Sequence, residues 1–382
     1  MGIGEEAIKL HEAWHGKLEV KSKVPVQNQY DLSVAYTPGV AAPCRRIAKD
    51  RDLVYRYTGK GNLVAVVTDG SAVLGLGDIG PEAALPVMEG KAILFKEFGG
   101  VDAVPICLAT KDPDEIVKAV QLIAPGFGGI NLEDISSPRC VEIERRLKET
   151  LDIPVFHDDQ HGTAVVVTAA LINALHLVQK DWSDVTVAIS GAGAAGSAIV
   201  RMLKNMGAGD IIVCGSRGIL VKGRSYDNWV HQELAEITNR MGKTGTLADA
   251  MAGADIFIGV SKKDLVTEDM VRSMSSNAIV LPMANPDPEI LPDAALRAGA
   301  RVVGTGRSDF PNQINNVLAF PGIFRGALDA RAREITEAMK VAAARALAGL
   351  IPEAELSETN ILPKAFDPRV GSTVAKAVSS AS

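Results

Sequence analysis

The stretch VTVAISGAGAAGSAIVRMLKNMG, Val185 to Gly207, decides the fold class. A β-branched run leads into a glycine-rich turn, and an apolar helical pattern follows that a glycine closes. Glycines at the G-x-G-x-x-G spacing permit a tight turn, backbone approach to a pyrophosphate and close packing of helix on strand. The stretch therefore predicts a Rossmann-type unit that binds a dinucleotide at the helix N-terminus. Its predicted cofactor-binding residues are Gly191, Gly193, Ala194, Ala195 and Gly196.

A second segment, GLGDIG from Gly75 to Gly80, has the same glycine spacing in a different context. Pro81 follows it directly, and the carboxylate of Asp78 would repel a phosphate. We therefore expect a structural turn close to the substrate at this segment, and a dinucleotide site only at the later one.

The rest of the chain alternates short β-branched runs with helical patterns, which is typical of βαβ units. Because 382 residues exceed the size that one core usually reaches, we expect two α/β domains with largely parallel sheets. The predicted division is a substrate and metal domain at 1–164, a Rossmann-type NAD(P)-binding domain at 165–305, and a C-terminal segment at 306–382 that returns to the first domain.

The end of the strand IIVCG, Ile211 to Gly215, bears on the choice of cofactor. NAD-binding units often carry an acid here that binds the ribose 2′-hydroxyl, but this chain continues with Ser216 and Arg217. A hydroxyl and a guanidinium can bind a 2′-phosphate that a carboxylate would repel. The sequence therefore predicts NADP in preference to NAD, although a solvated loop arginine is the ordinary alternative.

Two acidic pairs follow two apolar strands, Glu133 and Asp134 in INLEDI and Asp158 and Asp159 in FHDDQHG. Ligands of open α/β sheets gather at the carboxyl ends of the strands, so both pairs are expected at one edge. Four carboxylates there would repel one another unless a cation lay among them, and oxygen ligands suit Mg²⁺ or Mn²⁺. Helix capping by these acids remains the alternative.

Composition excludes several other classes of protein. The net charge is −6 without a block of Lys and Arg, so we expect no nucleic-acid partner. The four cysteines form no C-x-x-C pair, which suits reduced thiols in the cytoplasm. The acidic, amphipathic start shows no export signal, and charges interrupt the apolar runs before they reach the length of a membrane span.

These motifs together resemble the malic enzymes in their short bacterial and archaeal form. The resemblance runs in order through nearly the whole chain, in VAYTPGVA, VVTDGSAVLGLGDIG, MEGKAILFK, INLEDI, VFHDDQHGTA, SGAGAAG, ANP and FPNQINNVLAFPG. It implies oxidative decarboxylation of L-malate to pyruvate and CO₂ with reduction of NAD(P), and it implies a homodimer for which the N-terminal segment is a candidate interface.

The resemblance also implies roles for single residues. Lys91 matches the base that takes the proton of the malate C2 hydroxyl, and Tyr36 matches the acid that protonates C3 after CO₂ leaves. Glu133, Asp134 and Asp159 match the metal ligands, with Asp158 a partner of the lysine or of the cation. The residues that match contacts of malate or of the nicotinamide ribose are Asn285, Asn315 and Asn316.

These assignments have simpler alternatives in the sequence. Lys91 could be a solvated helix lysine, with Lys96 the one that matters, and Tyr36 could pack against the turn that follows it. A lysine acts as a base only if its pKa falls toward neutrality, which a nearby cation and partial burial favour.

One departure from the family concerns the substrate carboxylate. Longer malic enzymes carry an arginine shortly after TDG, whereas this chain has Ser71 and Ala72. The donors that replace it are expected among the asparagines, backbone N–H groups and Ser71.

Two other functions remain open in the sequence. A plain NAD(P)-dependent dehydrogenase of hydroxy or amino acids would share the glycine turn and a lysine base, but it would need no acidic metal cluster. A catalytically silent dinucleotide-binding sensor would need none of the catalytic residues.

Overall fold

The computed structural model of the protein describes residues 2–73 and 75–382. Four short helices come first, and none of α1 to α3 has a buried residue. They are α1 (Ile3–Trp14), α2 (Gln29–Ala35), α3 (Ala41–Lys49) and α4 (Val54–Tyr57).

The first sheet has four parallel strands in the order β2-β1-β3-β4. Parallel neighbours need crossover connections, and helices supply them here. Pro81 begins α5, and the Asp112 side chain caps α6 by accepting from the Asp114 N–H, so sequence signals set both starts. The elements are β1 (Leu63–Thr68), α5 (Pro81–Gly99), β2 (Asp102–Cys107), α6 (Pro113–Ile123), β3 (Gly129–Leu132), α7 (Arg139–Thr150) and β4 (Val155–His157).

The long helix α8 (Asp158–Val178) continues directly from β4 into the centre of the molecule. By length and composition it could cross a membrane, but 72% of its most apolar window is buried inside the protein. Residues from Ala164 to Leu175 are buried on nearly every side, which is typical of a core helix in a large protein.

The second sheet has six strands in the order β10-β9-β8-β5-β6-β7, all parallel except the short edge strand β7. Chain order reverses on either side of β5, so the crevice between β5 and β8 is the switch point at which such sheets bind ligands. Its elements are β5 (Thr186–Ser190), α9 (Ala194–Asn205), β6 (Asp210–Gly215), β7 (Gly218–Ile219), α10 (Trp229–Ile237), α11 (Leu247–Met251), β8 (Ile256–Gly259), α12 (Glu268–Arg272), β9 (Ile279–Pro282), α13 (Pro292–Arg297) and β10 (Val302–Val303).

The last three helices, α14 (Phe320–Asp329), α15 (Glu337–Ala348) and α16 (Arg369–Ser380), pack back on the first part of the chain. Phe320 and Phe324 of α14 contact the ring of Phe95 in α5, with centroids 4.8 and 5.1 Å apart. Helix α15 packs on α8. The C-terminal segment thereby covers the helices that carry the predicted site residues.

The predicted fold class is confirmed: the protein has two α/β units, one built on a parallel sheet and one of Rossmann type. The exact domain limits stay a prediction. The limit placed at residue 164 falls inside α8, and the limit at 305 follows β10.

Candidate active site

The two acidic pairs meet at the carboxyl edge of the first sheet. Glu133 and Asp134 follow β3, and Asp159 lies in the first turn of α8, directly after β4. One carboxylate oxygen from each of these three residues lies within 4.8 Å of the others. The Asp134 N–H also donates to Oδ2 of Asp159 at 2.9 Å, which fixes the two chain segments against each other.

The chemistry of this cluster fits a hard divalent cation. Burial raises the pKa of Glu133 and of Asp159, and their mutual repulsion raises that of Glu133 further, while Lys91 opposes both shifts. A cation among the three oxygens would offset the free-energy cost of keeping these buried carboxylates ionised. A set of oxygen ligands alone suits Mg²⁺ or Mn²⁺. Zinc would be expected to recruit His157 or His161 instead. His161 places Nε2 2.9 Å from Glu144, and Nδ1 of His157 lies 3.8 Å from Oδ2 of Asp159.

Lys91 is enclosed beside this cluster and is 7% exposed. Its Nζ lies 2.6 Å from Oδ2 of Asp158, 2.8 Å from Oε1 of Glu133, and 4.3 Å from the ring centroid of Phe320. Burial lowers the pKa of Lys91, but the three neighbouring carboxylates outweigh burial and leave it raised. Without a cation the lysine therefore stays protonated, contrary to the lowered pKa that a base requires.

Asp158 is fully buried at the start of α8, and a glycine makes room for its carboxylate. A Cβ at Gly162, one helical turn later, would lie 1.8 Å from Oδ1 of Asp158 and 3.2 Å from Cβ of Asn316. Burial raises the pKa of Asp158, and Lys91 opposes the shift. The glycine of the HDDQHG motif thus has a packing reason.

Tyr36 lies in a different environment from Lys91. It directly follows α2, a helix without buried residues, and it is 67% exposed. Lys91, by contrast, is enclosed by residues of α5, α8, α14 and the end of β3. The two residues that the resemblance pairs as acid and base thus differ sharply in burial.

A third group of polar residues lies at the same edge, in the loop after β1. Asp69 is buried, and its Oδ1 accepts from the Ser71 hydroxyl at 2.5 Å. Nη2 of Arg139 donates to Oδ2 of Asp69 at 2.7 Å and to Oγ of Ser71 at 2.9 Å. Ser71 also accepts from the Ser136 N–H. Because its single O–H is donated to Asp69, Ser71 has no further O–H to donate to a substrate.

The predicted dinucleotide turn has the close approaches that its glycines permit. Gly191 has a φ of 111°, and a Cβ there would lie 2.5 Å from the Val260 carbonyl oxygen, at the end of β8. A Cβ at Gly196 would lie 1.9 Å from the carbonyl oxygen of Gly191. Gly193, Ala194 and Ala195 open α9, whose N-terminus faces the crevice at the switch point.

The remaining predicted contacts lie in the loops after β6, after β9 and before α14. Ser216 and Arg217 are exposed after β6, and Arg217 is paired with Asp227. Asn285 is exposed, and a Cβ at Gly75 would lie 2.5 Å from its carbonyl oxygen, so the GLGDIG turn touches the loop after β9. Asn315 accepts from the Val317 N–H.

Sequence reasoning missed several residues that contact the site. Asn131 donates to Oε2 of Glu133 at 2.7 Å, and Phe320 covers Lys91. Arg139 ties α7 to the loop after β1. Glu144 accepts from the His157 N–H at 3.2 Å, just before the two aspartates. The only sequence signal was that Arg139 and Glu144 closely follow the INLEDI pair.

Comparisons with known proteins match both parts of the chain. The model of the malic enzyme N-terminal domain matches residues 15–148, and that of the malic enzyme NAD-binding domain matches residues 160–382. A bifunctional malic/malolactic enzyme of Bacillus subtilis (strain 168) is 59% identical over 100% of this chain and 93% of its own length.

Other relatives differ in the cofactor that they are named for. An NAD-dependent malic enzyme of Geobacillus stearothermophilus is 58% identical over 95% of this chain and 76% of its own length. An NADP-dependent malic enzyme of Rhizobium meliloti (strain 1021) is 48% identical over 99% of this chain, which spans 52% of that relative. The crystal structure of an NAD-dependent malic enzyme from Thermotoga maritima superposes with a TM-score of 0.95 at 46% identity, covering 98% and 99% of the two chains.

Proposed function

Because the chain belongs to the malic enzyme family, we infer that it oxidises L-malate with NAD(P) and releases pyruvate and CO₂. The observation that carries this function is the joint position of Lys91 and three carboxylates at one sheet edge. A plain dehydrogenase needs no such cluster, and a silent dinucleotide sensor needs neither the cluster nor a buried lysine.

Glu133, Asp134 and Asp159 would hold the divalent cation. When bound, the cation acts as a Lewis acid that stabilises negative charge developing on the substrate oxygen. In its neutral form Lys91 takes the proton of the C2 hydroxyl and becomes an ammonium, and Oδ2 of Asp158, 2.6 Å from Nζ, orients this group. The ring of Phe320, whose centroid lies 4.3 Å from Nζ, excludes water from that side. Tyr36 supplies the proton at C3 from its phenol O–H.

A steady-state assay tests this function. Malate, each cofactor and Mn²⁺ are supplied together, then each is left out in turn, and reduced cofactor, pyruvate and lactate are measured. We expect cofactor reduction with pyruvate formation that a chelator abolishes. Cofactor reduction that survives the chelator would favour the plain dehydrogenase, and no turnover of malate under any condition would contradict the inference.

NADP is the proposed preferred cofactor. The support is the absence of a carboxylate directly after β6, where exposed Ser216 and Arg217 stand instead. Relatives named for either cofactor exist at high identity, so the decisive measurement is kcat/KM for NADP and NAD. Arg217→Ala is expected to lower kcat/KM for NADP and to leave that for NAD unchanged. A preference for NAD in the unaltered protein would overturn the proposal.

A homodimer formed through the N-terminal residues is also proposed. Thirteen of the twenty-two large hydrophobic side chains that are exposed among the described residues fall between Ile3 and Val40. Helices as short as α1 to α3 are marginal in water without a packing partner. A second copy of the chain is the occupant that would bury this surface, here called the N-terminal arm (residues 2–50).

The same dimer would complete the active site. Tyr36 lies on the N-terminal arm and is exposed, while Lys91 is enclosed without it. We therefore assign Tyr36 to the site of the partner subunit.

A cytoplasmic location is proposed as well, because all four cysteines are free thiols in the folded chain.

A further inference from the structure

Malate carries two carboxylates. The positive groups described so far at this site, the divalent cation and Lys91, do not provide a partner for both of them. Lys91 is already held by Asp158 and Glu133. Ala72 stands in the TDG stretch in which longer malic enzymes carry an arginine. Ser71 is expected to help, but its single O–H is donated to Asp69. The substrate therefore needs another positive group at the carboxyl edge of the first sheet.

Arg139 is placed at that edge by the topology. It is the first residue of α7, the helix that follows β3, so it begins at the carboxyl end of the sheet. Its Nη2 donates to Asp69 and to Ser71 in the loop after β1. In the same loop the Ala72 N–H donates to the carbonyl oxygen of Asp134 at 2.9 Å. The loop that Arg139 holds thus also contacts the backbone of a predicted metal ligand.

The guanidinium is held firmly and yet keeps donors to spare. Asp69 has a fully buried side chain, and Ser71 bridges Asp69, Arg139 and the Ser136 N–H, so Nη2 has a fixed position. A guanidinium has five N–H donors, and Nη2 uses two. Within residues 2–73 and 75–382, nothing accepts from Nη1 or from the buried Nε. The side chain is 28% exposed, so part of it can be reached from solvent.

We propose that Arg139 binds a carboxylate of the substrate and replaces, from a different element, the arginine that longer malic enzymes carry after TDG. This inference rests on the proposed function. Guanidinium is the side-chain group that best matches a carboxylate in geometry and charge. Asp69 and Ser71 act as positioning residues, because they orient Arg139 and do not themselves touch the substrate.

The chemistry selects the C1 carboxylate. Decarboxylation breaks the C3–C4 bond, and the C4 carboxylate loses its negative charge as it becomes CO₂. A cation held on C4 would stabilise the starting charge more than the transition state and would slow the step. The C1 carboxylate keeps its charge through to pyruvate, so Arg139 can hold it throughout. Pyruvate is therefore expected to bind through the same arginine.

Kinetics of Arg139→Gln test the proposal. A lost charged hydrogen bond in a partly buried site corresponds to about a hundredfold in affinity, so KM for malate and the inhibition constant of pyruvate should both rise about a hundredfold. KM for the dinucleotide and the affinity of the substrate-free protein for Mn²⁺, measured by electron paramagnetic resonance, should stay unchanged. Arg139→Lys keeps the charge and should recover about tenfold of the loss.

Arg146→Gln is the matched control, since Arg146 lies on the same helix and its partners are the surface acids Glu142 and Asp114. A purely structural role of Arg139 would lower the thermal midpoint and kcat together and leave the pyruvate inhibition constant unchanged, which would overturn the proposal. An unchanged KM in Arg139→Gln would overturn it as well. Failure of the unaltered protein to oxidise malate would instead contradict the proposed function.

Discussion

Lys91 shows how the surroundings of one residue set its chemistry. Its helix α5 would leave a lysine solvated if it lay at the surface, but this Nζ is enclosed by two carboxylates and a phenyl ring. The carboxylates keep its proton on, so the residue becomes a base only once positive charge enters the cluster. The lysine and the cation site are therefore one functional unit.

Replacing Lys91 by Ala is expected to reduce malate oxidation by about 10²- to 10⁴-fold, since it removes the group assigned to take the hydroxyl proton. Decarboxylation of added oxaloacetate, which has no such proton, should persist. Lys96→Ala is the control, because Lys96 lies on the same helix with a 56% exposed side chain and pairs with Asp102. Malate turnover near the unaltered rate in Lys91→Ala would contradict the role.

Asp159→Asn is expected to remove the stabilisation that Mn²⁺ gives to the folded protein. At a concentration about a hundred times Kd, binding adds about 2.7 kcal/mol, which raises the thermal midpoint by roughly 5 °C. The variant should show almost no shift. Asp152→Asn alters a surface acid with an 87% exposed side chain and should respond like the unaltered protein. An equal shift in both variants would show that the ion binds elsewhere.

At the scale of elements, the first turn of α8 follows β4, the edge strand of the first sheet, and the rest of α8 runs through the core. Asp158 and Asp159 lie in this turn, and Gly162 closes it with no side chain. Glycine weakens a helix interior relative to alanine, so its presence here needs a reason. The reason is the contact that a Cβ would make with the Asp158 carboxylate.

Gly162→Ala is therefore expected to displace Asp158 from Lys91 and to reduce kcat by about a hundredfold, the effect of a misplacement of about 1 Å. Gly90→Ala is the matched control in α5, where a Cβ meets nothing closer than 3.8 Å. The control should raise the free energy of unfolding by about 1 kcal/mol and retain activity. Full activity in Gly162→Ala would exclude this role of the glycine.

The helices α7, α8 and α15 are joined by buried charges around His161. Its Nε2 lies 2.9 Å from Glu144 and its Nδ1 lies 3.1 Å from Nζ of Lys340. Burial, together with the positive charges of Lys340 and Lys148, lowers the pKa of His161 to about 4, although Glu144 opposes the shift. Burial raises the pKa of Glu144, but His161 and Lys148 outweigh it and hold that pKa well below its usual value.

These shifts predict a loss of stability in mild acid. An unfolded imidazole titrates near pH 6.5, so between about pH 6.5 and 4 the unfolded chain binds a proton that folded His161 does not. The stabilisation is complete above about pH 6.5 and falls by on the order of 3 kcal/mol toward pH 4. Urea unfolding across this window should show a shallower decline in His161→Gln.

His176→Gln is the control for this prediction, because His176 lies on the same helix with a 61% exposed side chain. His157, whose pKa burial also lowers, should retain part of the slope in every variant. The same decline in His161→Gln as in the unaltered protein would contradict the prediction.

At the scale of the whole molecule, one chain provides the carboxylate cluster, Lys91 and the dinucleotide turn. It leaves Tyr36 on the exposed N-terminal arm. Symmetric dimers use the same surface twice, so two arms can complete two sites. The apolar side chains of the arm would then be buried.

A heterodimer of a Tyr36→Phe chain and a Lys91→Ala chain tests this arrangement. If the tyrosine acts across the dimer, one of the two sites is intact and the heterodimer should show about half of the unaltered activity. The reciprocal control places both changes in one chain beside an unaltered partner, and it should be inactive. The opposite pattern would show that Tyr36 serves the site of its own chain.

The sequence by itself determined the fold class and the local elements of the site. Strand runs, the GAGAAG turn and the acids after two strands are local patterns, and the hydrogen bonding of parallel strands brings their carboxyl ends to one edge. Local signals also set the helix starts at Pro81 and Pro113, since a proline in the first turn and the Asp112 cap act within a few residues.

Only the tertiary structure decided which side chains share a space and with what charge. Arg139 meets Asp69 across 70 positions of chain, and Phe320 covers Lys91 from 229 positions away. No local pattern encodes such contacts, because they arise when the crossover helix and the C-terminal helices pack on the sheet. The raised pKa of Lys91 and the exposure of Tyr36 likewise follow from burial and neighbouring charge, which are properties of the folded chain.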